Sequence, residues 1–212
     1  ASLIKKSLIK AYKFNPDIIC LPECANIMTA NKSHLVKHAT LQKDCPVLEE
    51  CIQFAKKYNK FVSVGSLLLK KNNSSKLLNR SFFINHSGKI MAYYDKIHLF
   101  DVNINRKEVH RESKSFHKGN KVVIITSPWG KIGLTICYDI RFPNLYRNLV
   151  KQGVKIILVP AAFTVPTGKD HWEILLRSRA IENTSFIIAT GQCGKHHARR
   201  ATYGHSMIVN PW

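Results

Sequence analysis

The sequence predicts an α/β sandwich in a single domain spanning residues 1–212, and three observations carry that reading. Stretches with apolar residues at helical spacing alternate along the chain with short β-branched runs. Several neighbouring runs are joined by turns too short for a crossover, so hairpins interrupt the alternation. Two apolar runs end directly in a charged side chain, and open α/β sheets collect their functional groups at such strand ends.

Taken in order, Leu3, Ile4, Leu8, Ile9 and Tyr12 form one face of a first helix, which Asn15-Pro16 ends. Asp17 to Leu21 is an apolar strand that delivers Glu23. Residues Lys32 to Ala39 and Pro46 to Tyr58 read as helices, the second with Val47, Leu48, Cys51, Ile52, Phe54 and Ala55 at core spacing. Phe61 to Leu69, Leu78 to Asn85 and Lys89 to Asp95 read as a meander, with Lys71 to Ser75 and His86-Ser87-Gly88 as its turns. The meander ends at Lys96. From Ile97 to Asn120 periodicity is lost, and a loop of that length inside a compact domain is usually functional.

Strands are expected at Lys121 to Ser127 and Ile132 to Ile136, with Pro128-Trp129-Gly130 turning between them. The second ends at Cys137. Pro143 suits a first helical turn, and Leu145, Leu149 and Val150 continue that helix until Gly153 stops it. A strand at Ile156 to Pro160, a helix at Lys169 to Asn183, and strands at Ser185 to Thr190 and Met207 to Val209 complete the expectation.

Composition narrows the function classes. The chain is 45% hydrophobic and 22% charged, which suits a globular core, but 33 Lys and Arg against 13 Asp and Glu give a formal charge of +20. Such charge keeps a nucleic-acid partner in play. The lysines are scattered, however, with no basic block and no nucleic-acid motif, so nucleic acid is not the expected partner. Six cysteines in a chain this long fit no disulfide framework and lack paired zinc-ligand spacing, so they read as reduced thiols of a cytoplasmic protein. His196, His197 and His205 have no accompanying ligand pattern, and neither a metal nor a cofactor is expected. No stretch is long and apolar enough to suggest a membrane span.

Cys137 sits where a strand ends and a helix follows, the position of a nucleophile elbow, with the next backbone N–H, that of Tyr138, beside it. An isolated cysteine is more often a buried, inert one. Here Glu23 and Lys96 stand at other strand ends, and a carboxylate, an ammonium and a thiol together make a base, an oxyanion stabiliser and a nucleophile.

Glu23 in Leu-Pro-Glu, Lys96 in Tyr94-Asp-Lys-Ile-His-Leu-Phe-Asp101 and Cys137 in Cys-Tyr-Asp-Ile-Arg-Phe-Pro143 resemble, in that order, the Glu-Lys-Cys triad of the nitrilase or carbon-nitrogen hydrolase superfamily. Arg111-Glu112-Ser113 with Gly119 is similar to that family's loop with a second glutamate. His171-Trp172-Glu173 leading to Arg177-Ser-Arg179-Ala180 is similar to its next helix. Gln192 to His197 and Tyr203-Gly-His-Ser-Met207 before Asn210-Pro-Trp212 resemble the branch that includes deaminated glutathione amidases, and less closely the ω-amidases.

The resemblance implies a four-layer αββα sandwich whose subunits pair through helix faces, as a homodimer or larger homo-oligomer. It also implies that this chain is truncated at both ends, lacking a first strand and a segment beyond Pro211-Trp212. The implied activity is hydrolysis of the terminal carboxamide of a small carboxylate-bearing substrate to acid and ammonia through a cysteine thioester. Glu23 would be the base, Lys96 and the Tyr138 N–H the oxyanion contacts, and Glu112 an auxiliary carboxylate. Arg141, Phe163 and Thr167 match the substrate-binding positions, Arg141 against a carboxylate. Asp139, Arg177 and Arg179 with Glu182 read as structural ion pairs. Alternatives are an ω-amidase on α-keto acid amides, a hydrolase of N-carbamoyl amides or nitriles, and, in a different class, a basic nucleic-acid-binding module with a vestigial site.

Overall fold

The computed structural model describes residues 1–29, 31–105, 108–197 and 200–212. Its elements in chain order are α1 (Ser2–Tyr12), β1 (Ile18–Cys20), α2 (Lys32–His38), α3 (Pro46–Tyr58), β2 (Phe61–Lys70), β3 (Leu77–Ile84), β4 (Ile90–Asp95), β5 (Asp101–Asn105), β6 (Glu108–Arg111), β7 (Ile124–Ser127), β8 (Gly130–Leu134), α4 (Pro143–Lys151), β9 (Val154–Ala161), α5 (Val165–Thr167), α6 (Glu173–Asn183), β10 (Phe186–Gly191), β11 (Cys193–His197), β12 (Arg200–Tyr203) and β13 (Met207–Val209).

Two sheets stack face to face. One runs β1-β2-β3-β4 and the other β13-β10-β9-β8-β7. β1 pairs parallel to β2, and β8, β9 and β10 are mutually parallel, so both sheets need helical crossovers, while β2, β3 and β4 form the expected antiparallel meander. The inner faces share one core: Phe83 and Tyr94 from the first sheet pack with Ile132, Leu134, Leu158 and Ile187 of the second. On the outside, α1 and α3 cover the first sheet through Leu8, Val47, Cys51 and Phe54, and α4 and α6 cover the second through Leu149 and Leu176. This is the αββα sandwich.

Local chemistry explains the boundaries. Pro46 and Pro143 occupy first-turn positions of α3 and α4, where a missing N–H costs nothing. Asn59 ends α3 in the left-handed region at φ 53°, a conformation Asn tolerates better than most residues.

At Gly65 the two sheets approach each other tightly. A Cβ there would lie 1.9 Å from the Leu21 carbonyl oxygen and 2.6 Å from the Pro160 Cβ, so only glycine fits. The β2–β3 register shifts between Val64 and Leu67, and this irregularity turns Ser66 toward the chain after β1, where its Oγ accepts from the Cys24 N–H at 3.0 Å.

The structure differs from the sequence expectation in several places. The stretch 97–120 is not featureless: β5 and β6 form a hairpin, followed by a short 3₁₀ turn at Glu112–Lys114. A second unexpected hairpin joins β11 and β12. Arg177 pairs with Glu173, one helical turn back on α6, at 2.8 Å, leaving Glu182 to Arg179.

Candidate active site

β8 ends at Leu134, and the chain then enters a 3₁₀ turn at Cys137–Arg141. Cys137 itself has φ +50°, a left-handed conformation that a non-glycine residue adopts only when its surroundings hold it there. The holding group is Asp139. Fully buried, it accepts hydrogen bonds from the Tyr94 hydroxyl at 2.7 Å, the Ile136 N–H at 2.9 Å, and the backbone N–H and ring Nδ1 of His98 at 2.9 and 2.7 Å. His98 also stacks on Phe142 with ring centroids 3.6 Å apart. One carboxylate thus ties the chain on either side of Lys96 to the turn that carries Cys137.

Glu23, Lys96 and Cys137 meet, and all three are buried. Lys96 Nζ donates to Glu23 Oε1 at 3.0 Å and to Glu112 Oε1 and Oε2 at 3.1 and 2.9 Å. Glu23 Oε1 also accepts from Asn79 Nδ2 at 2.9 Å and its Oε2 from the Ala162 N–H at 2.8 Å, and the Cys137 thiol lies beside the carboxylate, near enough to shift its pKa. Glu112 is fixed in turn by the Phe100 N–H at 2.6 Å and by Asn79 Nδ2 at 3.3 Å.

These contacts set the charge states. Burial raises the Glu23 carboxyl, but the Lys96 ammonium, the neighbouring Cys137 thiol and the hydrogen bonds from Lys96 and Asn79 outweigh it and hold the group below its ordinary value. Burial opposes the Lys96 ammonium, yet the carboxylates of Glu112 and Glu23 keep its pKa well above the usual lysine range. Burial, followed by the negative charge of Glu23, pushes the Cys137 thiol well up. At neutral pH the resting site is therefore a carboxylate, an ammonium and an un-ionised thiol. Such a thiol needs its proton taken during attack, and the adjacent Glu23 can take it.

A cavity of about 400 Å³ opens over these groups, and Tyr138, Phe163 and Thr167 stand in its wall. Arg141 does not line it. The 3₁₀ turn carries Arg141 behind Phe163, with its guanidinium 5.8 Å from that ring and Nη2 3.0 Å from His171 Nδ1. Sequence reasoning missed Asn79, the Ala162 N–H, the β5–β6 hairpin that supplies Val109, His110 and Arg111 to the wall, and Arg200 on β12. The alternation of Val102 and Ile104 could have revealed the first hairpin strand. Asn79 offers only one polar position within an apolar strand.

Comparison with known proteins accords with this geometry. Residues 1–212 match the carbon-nitrogen hydrolase family model. The chain is 40% identical over 208 residues to a deaminated glutathione amidase of Yersinia enterocolitica, spanning 96% of this chain and 72% of the relative. It is 39% identical over 214 residues to one of Dictyostelium discoideum, spanning 98% of this chain and 74% of the relative. The fold superimposes on the crystal structure of the Caenorhabditis elegans NitFhit protein with a TM-score of 0.90 at 37% identity, covering 98% of this chain and 51% of that one. Fold, matched sequence and relatives agree, and the chain belongs to the carbon-nitrogen hydrolase family.

Proposed function

We propose that this chain is an amidase that hydrolyses a C–N bond of a small carboxylate-bearing amide, deaminated glutathione being the foremost substrate, through a thioester on Cys137. The observation that carries the reading is the buried Glu23 carboxylate bonded to the Lys96 ammonium at 3.0 Å with the Cys137 thiol beside it. The names of the two relatives support the substrate.

In the proposed cycle the Cys137 Sγ attacks the amide carbon while Glu23 takes the thiol proton. The oxygen that gains charge is met by the backbone N–H of Tyr138 and by Lys96, whose ammonium shares its hydrogens with both oxygens of Glu112 and can turn one outward. Glu23 then hands its proton to the departing nitrogen. Ammonia leaves from a primary carboxamide, and an amine leaves from deaminated glutathione, whose nitrogens lie in secondary amides. Glu23 next deprotonates the water that attacks the thioester, and the acid leaves with the thiol restored. Glu112 keeps Lys96 charged and aimed. Phe163 and Thr167 line the acyl pocket, and Arg141 braces Phe163 from behind.

Free-amine release from deaminated glutathione by wild-type protein, lost in Cys137→Ala, tests this. Turnover by the Cys137→Ala variant would remove the thioester route. Ile174 and Ile181, 67% and 56% exposed on α6, support pairing of two copies through that helix; an Ile181→Asp variant that sediments unchanged would refute it. Among the described residues no helix is long and apolar enough to cross a membrane. The six free thiols support a cytoplasmic location.

A further inference from the structure

Among the charged groups in the cavity wall, Arg200 stands apart from the rest. Lys96 is shared between Glu23 and Glu112, and the Arg111 guanidinium is engaged by the carbonyl oxygens of Val102 and His110 and by Asn103 Oδ1. Arg200 Nη2 donates to the Ala162 carbonyl oxygen at 3.0 Å, but its Nη1, shut off from bulk solvent, has no hydrogen-bond partner among the described residues. A buried guanidinium nitrogen left without an acceptor is a costly arrangement that calls for an explanation, and a ligand acceptor is one.

The position of Arg200 is fixed by the backbone. The Tyr203 N–H donates to the Phe163 carbonyl at 3.0 Å, Thr164 and Thr202 form an isolated bridge, and the Tyr203 ring fills the space beside Gly168, where a Cβ would come within 2.2 Å of it. β12 is thereby moored along residues 163–168, the same segment that supplies Phe163 and Thr167 to the cavity. The peptide of Ala162 links the two charged groups: its N–H binds Glu23 and its carbonyl binds Arg200.

Electrostatics name the ligand class. The wall sets the carboxylates of Glu23, Glu108 and Glu112 against the cations of Lys96, Arg111 and Arg200, so that without Arg200 its net charge is negative and repels an anionic substrate. We propose, on the amidase reading above, that Arg200 binds the carboxylate of the substrate: a turn of its guanidinium about the bond to Ala162 presents Nη1 to a carboxylate oxygen. The specificity of this site for anionic amides then rests on Arg200.

The test compares wild type and Arg200→Gln on deaminated glutathione and on propionamide, a neutral amide. Arg200→Gln should lower kcat/KM for deaminated glutathione by about 10- to 100-fold, the worth of a charge-assisted hydrogen bond, and leave propionamide within roughly threefold. Equal loss on both amides overturns the proposal. The ratio of the two rates is unaffected by a fraction of misfolded protein, and Arg200→Lys, which keeps the charge without the planar fork, should lie between wild type and Arg200→Gln. A second arm needs no turnover: glutarate binding to Cys137→Ala, followed by calorimetry, should weaken about tenfold or more when Arg200→Gln is added. Undetectable or unchanged glutarate binding overturns the proposal. Wild-type inactivity on both amides would instead count against the amidase reading alone, leaving the glutarate arm to decide for Arg200.

Discussion

Replacing Asp139 by Ala probes the device that holds the elbow. The substitution strips the acceptor from the Tyr94 hydroxyl, two backbone N–H groups and the His98 ring at once, in a place without solvent access. Each orphaned donor costs about 1–3 kcal/mol when isolated, but water entering the vacated space shares the loss, so the sum is about 4 kcal/mol, within the range for removing one partner of a buried charge network. For a chain of this length that corresponds to a fall in Tm of roughly 8–16 °C by differential scanning calorimetry. Cys137 would also relax from its left-handed backbone, and a displacement of about 1 Å at a nucleophile can cost on the order of 10²-fold in rate. Asp139→Asn keeps one acceptor oxygen and should recover part of both losses. An Asp139→Ala protein that melts within about 3 °C of wild type and retains kcat within roughly twofold would refute the view that this carboxylate sets the elbow.

Other expectations follow from the same geometry. Wild type quenched during turnover should carry an acyl adduct on Cys137 by mass spectrometry, and an adduct on Cys20, Cys24 or Cys193 would contradict the assignment. Lys96→Met should lower kcat by roughly 10²-fold or more, while Glu23→Gln should also block release of the acyl group; near-normal turnover by either excludes the mechanism. Because Glu23 is held below its ordinary 4.5, the active carboxylate form is present above that pH and lost beneath it, so kcat/KM should stay level down to about pH 5 and fall only in stronger acid. An acid limb near pH ~6.5 would point to a histidine instead. With the Cys137 thiol raised above 9.0, alkylation by iodoacetamide at pH ~8 should be slow without substrate, and rapid labelling would indicate a preformed thiolate.

How much of this was legible in the sequence depended on whether a residue's chemistry coincided with a break in hydrophobic pattern. Glu23, Lys96 and Cys137 each follow an apolar run, so position and chemistry agreed, and the two-sheet core followed from the same runs. Glu112 was found only through resemblance to its family's loop. Asn79 lies within the run of β3 and looks like an ordinary polar interruption, although its amide donates to both glutamates. Ala162 contributes through its main chain, which side-chain identity does not encode. The β11–β12 hairpin, Cys193–His197 with Arg200–Tyr203, has little apolar alternation and is held by backbone pairing and by bonds to residues 162–164, so Arg200 had no pattern to announce it. Arg141 stands outside the cavity wall, carried there by a 3₁₀ turn whose four residues rotate a side chain differently from four residues of α-helix.

The hydrogen bonds around Glu23 join residues far apart in the chain: Asn79 is 56 positions away, Lys96 73 and Ala162 139. Contacts of such separation close large loops, and chains gain them late on the way to the native state. Either sheet can complete its own ladders before the other arrives, but Glu23 acquires the Ala162 N–H only after the sheets have stacked. Until then its carboxylate lacks one of the donors that hold it ionised. Under the proposed mechanism the site thus doubles as an internal gauge of assembly: when one sheet comes loose, Cys137 parts from Glu23 and Lys96 while strands and helices persist, and activity disappears before secondary structure does.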